Sequence, residues 1–267
     1  RRFELLSRAE KPQMQPFEKI VLMRTVKKQP DIFTEAEWAD IKAKHYIHEL
    51  GYVSNLSLDY GRVIGSGLLA VRENADEYGR RVIDAIIDLC DRYKRLAVEQ
   101  DRRDVVEMLS RVPRYGATNF REALQVFRIL HYALWLEGDY HNTVGRFDQY
   151  IYPYFKLDMD AGVYTKETAL DLLEDFFLSF NKDSDLYVGV QQGDNGQSMV
   201  LGGRLEDGSE GFNELSELCL LASRDLKLID PKINLRVSKA TPLEIYEKGT
   251  ELTKVGLGFP QYSNDDV

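Results

Sequence analysis

The sequence predicts an α/β fold in which a mainly helical section, residues 1–112, leads into residues 113–267, where amphipathic helices alternate with short strands. Three observations carry this reading. Apolar residues recur at three- and four-residue intervals through residues 16–28 and 34–50, and along the stripe Val82, Ile83, Ala85, Ile86, Leu89 and Cys90. Helix-start chemistry stands at Asn119, Thr165 and Thr241. Between the later helices lie short runs of strand character, 186–190, 198–201 and 233–237, the last alternating apolar and polar residues with period two. Strands that alternate with helices imply crossover connections and parallel pairing.

The elements follow in order. Asn119 is placed to cap a helix while Glu122 reaches back from its third position, a capping-box arrangement, and Phe120, Leu124, Phe127 and Leu134 then share one face. Thr165 opens a second helix with Leu170, Leu173, Phe177 and Phe180 on its buried side. Leu215, Leu218, Cys219, Ala222 and Leu226 define a third. Thr241-Pro242-Leu243-Glu244 reads as cap, first-turn proline and third-position glutamate of a fourth.

Composition narrows the partners. The 267 residues carry 44 acidic against 35 basic side chains, a net charge of −9, whereas a nucleic-acid binder needs a basic face. No apolar run approaches the ~20 residues of a membrane span, and the N-terminus lacks the apolar core of a signal peptide. Two cysteines make a disulfide framework implausible and point to a reducing, cytoplasmic setting.

Four strings carry a more specific signal. They are the run from Pro113 to Gln125, the run from Gly145 to Tyr154 with Gly145-Arg146-Phe147-Asp148-Gln149 at its head, Gln197-Ser198-Met199-Val200-Leu201-Gly202-Gly203, and Gln261-Tyr262-Ser263-Asn264-Asp265-Asp266. In these the chain resembles the glycyl radical enzymes, the pyruvate formate-lyase family. The resemblance implies a barrel of two five-stranded parallel half-barrels inside helices, of which this chain holds the outer helices and much of the first half-barrel. Sections 1–112 and 113–267 are then parts of one such domain. It further implies a lyase or dehydratase acting on a small molecule, a homo-oligomer, and a glycyl radical installed by a separate radical-SAM activating enzyme. In that family the catalytic cysteine and the radical glycine follow the Asn-Asp segment, so the chain reads as the front part of such an enzyme, with no bound cofactor and no catalytic residue of its own. The competing reading is a non-catalytic scaffold of the same fold. An open half-barrel also leads us to expect self-association.

The resemblance also places the substrate. A loop ending in Asp59-Tyr60 enters the family's barrel, and the residue four before that aspartate touches substrate. Here it is Asn55, preceded by Ser54. Asparagine carries no charge and cannot form the forked ion pair a carboxylate favours, so a neutral hydroxylated substrate is expected. Asn195, Gly196, Gln197 and Ser198 form the second candidate contact, with Gly196 leaving room for substrate and Asn195-Gly196 reading as a turn. Asn264 and Asp265 form the third. Arg146 reads as scaffold. His45 and His48 lack a third ligand for zinc, His131 and His141 read as packing or loop residues, and Gly65-Ser66-Gly67 lacks the rest of a dinucleotide fingerprint. Cys90 and Cys219 read as buried small hydrophobes.

Overall fold

The computed structural model describes residues 2–26, 33–44, 56–137, 141–183 and 196–267. Helices α1 (Arg2–Ala9), α2 (Glu35–Lys44), α3 (Tyr60–Glu73), α4 (Glu77–Glu99) and α5 (Arg103–Arg111) make the N-terminal section. Helix α6 (Phe120–Glu137) is followed by β1 (Gly145–Arg146), α7 (Phe147–Tyr150), α8 (Tyr152–Asp160), α9 (Lys166–Ser179), β2 (Ser198–Gly202), α10 (Glu214–Leu226), β3 (Lys232–Val237), α11 (Leu243–Thr253) and β4 (Gln261–Asn264). The strand candidate at 186–190 and the end of the helix expected over 34–50 lie outside the described residues.

The sheet runs in the order β1-β2-β3-β4 with every pair parallel, as the strand–helix alternation requires. Register pairs Val200 with Asn234 and Asn234 with Gln261, and it pairs Gly202 with Arg236 and Arg236 with Ser263. Side chains alternate across a strand, so one face carries Met199, Leu201, Ile233, Leu235 and Val237, all in the hydrophobic core. The opposite face carries Ser198, Val200, Lys232, Asn234 and Arg236, all half-buried. Sequence patterning did not reveal β1 or β4.

Helix α6 is the axis of the packing. Ala123, Leu124, Val126, Phe127 and Ile129 are all fully buried, and so are the polar Gln125, Arg128 and His131. Its start departs from the expected capping box by one residue. Asn119 Oδ1 accepts from Glu122 N–H at 2.9 Å, but the Glu122 carboxylate accepts from Thr118 N–H and Oγ1, both at 2.8 Å, rather than from Asn119. Leu134 is half-buried, beside an apolar groove lined by Leu58, Val63, Ile86 and Leu130.

The helix expected over 16–28 is not formed across 16–26. Ile20, Val21 and Leu22 are consecutive and all buried, which no single helix face allows. The segment is irregular, with Leu22 at φ +88°, and is held by distant side chains instead. Gln125 pairs with both the N–H and the C=O of Val21 (2.9 and 3.1 Å), and Arg128 donates to Leu22 C=O. Tyr93 Oη pairs with both backbone groups of Met23, and Glu10 accepts from Thr25 N–H. The cap of α11 also moves: Pro242 is the cap residue, while Thr241 accepts from Ser238 N–H and donates to Glu210.

Gly65-Ser66-Gly67 has a packing role. Gly67 takes φ +77° at a kink in α3, where a Cβ would stand 2.5 Å from Arg114 O, and a Cβ on Gly116 would stand 2.1 Å from Gly65 O. The crossing is stitched by Leu68 N–H to Pro113 C=O and Ala117 N–H to Ile64 C=O, both 2.8 Å. This close backbone approach is what the glycines permit.

Candidate functional site

Two of the sequence-predicted segments meet at the N-terminal end of the strands. Thr143 N–H donates to Leu56 C=O at 2.8 Å, and the next residue, Val144, donates to Ser198 C=O at 2.7 Å. One dipeptide therefore ties the segment leading to Tyr60 to the entry of β2. Gly196 sits beside it at φ +69°, where a Cβ would lie 2.4 Å from His141 Cδ2. The space expected to open for substrate at Gly196 is filled by the His141 ring. Ser54, Asn55 and Asn195 lie outside the described residues.

Gln197 is fully buried, and its side chain is occupied within the protein. Its amide nitrogen donates to Phe180 C=O (2.9 Å) and Asp230 Oδ2 (3.2 Å), while its Oε1 stands 2.7 Å from His131 Nε2 and 3.2 Å from Trp135 Nε1. His131 Nδ1 in turn stands 2.9 Å from Tyr60 Oη. The ring stacks on Phe127 and leans against Phe180. Burial pushes the imidazole down to about 4, opposed in part by the Gln197 hydrogen bond.

The C-terminal end of the strands holds a different cluster. Arg146 donates to the carbonyls of Gly202, Gly203 and Arg204, in keeping with a scaffold role. Asp148 is buried and accepts from Gly202 N–H (2.7 Å) and Ser216 Oγ (2.5 Å), which ties β2 to the start of α10. Burial raises its carboxyl to about 6, against those two donors. Asp265 accepts from Arg236 Nε (2.7 Å) and Arg204 N–H (2.8 Å), and Asp266 accepts from Arg204 Nη2 and Lys239 N–H. Asn264 Oδ1 accepts from Asp266 N–H. The closing acidic residues thus form an ordered latch rather than a solvated tail.

The structure brings Gly196, Gln197 and Ser198 to one end of the sheet and puts Asn264 and Asp265 at the other. The two groups are separated by the length of β2, roughly 16 Å for five residues at ~3.3 Å each. Asn264 also falls on the face of β4 shared with Leu235 and Val237, away from Ser198. Sequence reasoning passed over Asn234 and Arg236, which lie with Ser198 on the half-buried polar face. The period-two pattern at 233–237 was the signal that could have found them. It also missed Trp135 and Asp230 as partners of Gln197, and Tyr60 as the partner of His131. Among the described residues, no group of three or more His, Cys, Asp or Glu side chains could hold a metal, and no helix is long and apolar enough to cross a membrane. Cys90 and Cys219 are free and buried, and burial pushes the Cys90 thiol up to about 12 and raises that of Cys219 as well.

Comparison with known proteins gives a consistent result. The family model described as pyruvate formate lyase-like matches residues 12–267. The 4-hydroxyphenylacetate decarboxylase glycyl radical subunit of Clostridioides difficile is 32% identical over 176 residues, covering 64% of this chain and 20% of that protein. The (2S)-3-sulfopropanediol dehydratase of Klebsiella oxytoca is 28% identical over 249 residues, covering 79% of this chain and 30% of that protein. Among solved structures, the B12-independent glycerol dehydratase of Clostridium butyricum with glycerol bound superposes with a TM-score of 0.82 at 21% identity, over 99% of this chain and 45% of that one. A Roseburia inulinivorans structure described for 1,2-propanediol dehydration gives 0.81 at 22% identity, over the same shares. The chain spans a fifth to a third of the length of these curated relatives and under half of the solved chains.

Proposed function

The chain belongs to the pyruvate formate lyase-like family, and we propose on that premise that it forms the substrate-facing wall of a glycyl radical lyase or dehydratase. The observation that carries the reading is the junction at Leu56, Thr143-Val144 and Ser198. It joins the two segments on which the substrate contacts were expected, at the edge of a half-buried polar sheet face. Ser54, Asn55, Asn195 and Ser198 are the contacts we assign to substrate. Gln197 is assigned to holding that junction, and Asn264 and Asp265 to anchoring β4.

Asn55 offers hydrogen bonds without charge, so a neutral hydroxylated small molecule suits it better than a carboxylate. In this reading the hydrogen-abstracting radical resides on a cysteine and a backbone glycine of the intact enzyme and is installed by a radical-SAM activating enzyme. This reading gives Cys90 and Cys219 no part in that chemistry and assigns them to packing as small buried hydrophobes. The residues described here would orient the substrate and exclude water, which is what radical fragmentation asks of its surroundings. A cytoplasmic, anaerobic, homo-oligomeric enzyme is the setting that fits.

The test is to activate the intact enzyme anaerobically, record its glycyl radical by EPR, and assay diols, amino-alcohols and hydroxy acids. We expect a glycyl signal and turnover of a neutral diol or polyol, with Asn55→Arg lowering that turnover at least about tenfold. Absence of the glycyl signal, or unchanged turnover in Asn55→Arg, would overturn the enzymatic reading or the Asn55 assignment, respectively.

A further inference from the structure

Two acceptors fix the protonation of His131. Phe180 C=O and the Asp230 carboxylate both face the Gln197 side chain, and each needs a donor. The amide nitrogen of Gln197 must therefore point to them, which turns Oε1 toward His131 and Trp135. An acceptor facing Nε2 requires a proton there. Nδ1 is then the bare nitrogen, and Tyr60 Oη donates to it. Trp135 Nε1 also lies 3.2 Å from His131 Nε2, but with Nε2 protonated it donates to Gln197 Oε1 instead. The relay has one polarity, from Tyr60 through His131 and Gln197 to Asp230, and it leaves none of these side chains short of a partner. Two of its members mark the chain segments it joins. Tyr60 opens α3 directly after the segment 56–59, and Gln197 precedes the first residue of β2.

We propose that His131, held neutral with its proton on Nε2, is a positioning residue that sets the spacing between the segment ending at Tyr60 and the β2 entry at Gln197–Ser198. This rests on the reading that those two segments flank the substrate. The imidazole is a rigid spacer with a donor on one side and an acceptor on the other, and no other neutral side chain of that length offers both across a ring. Stacking on Phe127 holds its plane. Burial, which drives the ring toward its neutral form, keeps the relay intact across the physiological range.

Two experiments test this. The chain has four histidines, so selective 15N labelling and long-range 1H–15N spectra can resolve the ring of His131. We expect a protonated Nε2 and a bare Nδ1, unchanged between pH 7 and pH 5.5. A proton on Nδ1, or a charged ring at pH 6, overturns the assignment. In the intact enzyme, His131→Gln is compared with Leu136→Ala, a core truncation on the same helix. We expect His131→Gln to raise KM about tenfold with kcat and EPR spin count within about twofold, and Leu136→Ala to leave KM unchanged at a similar loss of Tm. Equal KM values in the two variants would mean His131 is merely structural and would overturn the proposal. Should His131→Gln not fold, Tyr60→Phe removes one donor from an intact ring; a KM rise of about threefold supports the proposal, and none overturns it. A wild-type enzyme with a glycyl signal but no turnover sinks the functional reading, whereas the tautomer is read without activity.

Discussion

Gly203 and Asp265 compete for one small space: a Cβ on Gly203 would stand 2.8 Å from Asp265 Oδ2 and 2.7 Å from Arg236 Cβ. The Gly-Gly pair that closes β2 exists so that the Arg236–Asp265 ion pair can close over it. Gly203 also takes φ +84°, where a side chain is strained.

The first prediction separates these two costs. Gly208 has the same φ of +84°, but a Cβ there would meet nothing within 4 Å, so Gly208→Ala measures backbone strain alone. We expect Gly208→Ala to cost about 1 kcal/mol and Gly203→Ala about 2–4 kcal/mol, the excess being overpacking against the ion pair. Urea unfolding of both variants checks this, and equal losses would remove the clash from the account.

A second prediction concerns pH. His131 sits near 4 when folded against 6.5 as its ordinary value, because burial disfavours the charged ring. The unfolded chain therefore binds a proton between pH 6.5 and 4 that the native state does not, and stability from this group falls as pH drops through that window. Asp148 has the opposite sign. Burial raises it from 3.8 to about 6, so the native state keeps a proton that the unfolded chain has released, and stability from this group falls as pH rises from 4 to 6. Each effect is on the order of 3 kcal/mol, and in the wild type they largely offset. Relative to wild type, His131→Gln should become less stable as pH rises from 4 to 6.5, and Asp148→Asn more stable. Denaturation at pH 4.5 and 7 reads the sign directly; parallel curves for the two variants would contradict it.

The Arg128–Asp183 pair yields a third. Both side chains are 1% exposed, and Arg128 also holds the carbonyl of Leu22. Asp183→Ala leaves a buried guanidinium without its counter-charge and should cost about 3–5 kcal/mol. It should also loosen the segment at Leu22, visible as faster amide exchange at residues 21–24. A loss below about 1 kcal/mol would show that the charge finds water.

Much of this was readable where the chain enforces structure locally. Thr165 caps its helix through its own side chain, and the alternation at 233–237 places five residues on the correct faces of β3. What failed was structure that depends on remote partners. Residues 20–26 are non-helical because Gln125, Arg128, Tyr93 and Glu10 bond their backbone, and none of those side chains is near in sequence. β1 is two residues long and β4 is fully exposed, so neither shows a burial pattern. At the site, Gln197 stood out from its motif, but its role depends on Tyr60, His131 and Asp230, which only folding brings together. His131 looks like packing in a sequence because it lies between Leu130 and Tyr132 within a run of buried residues, 122–132.

The last prediction comes from β4. Its inner side pairs with β3 and continues to Asp265 N–H on Val237 C=O at 2.8 Å. In a parallel ladder alternate residues point their N–H groups to opposite sides, so those of Tyr262 and Asn264 face outward. All four residues of the strand are exposed, and none carries the charge or proline that blunts an edge. An unprotected edge of this kind recruits another strand, so the 30.8 kDa chain should self-associate at micromolar concentration. Ser263→Lys puts a charge on that edge at an exposed position and should shift the population toward monomer by several-fold, with little change in Tm. Light scattering coupled to size exclusion measures both proteins. If the wild type elutes as a clean monomer, the edge is not the sticky surface argued here; if it associates but Ser263→Lys does so equally, the contact lies elsewhere.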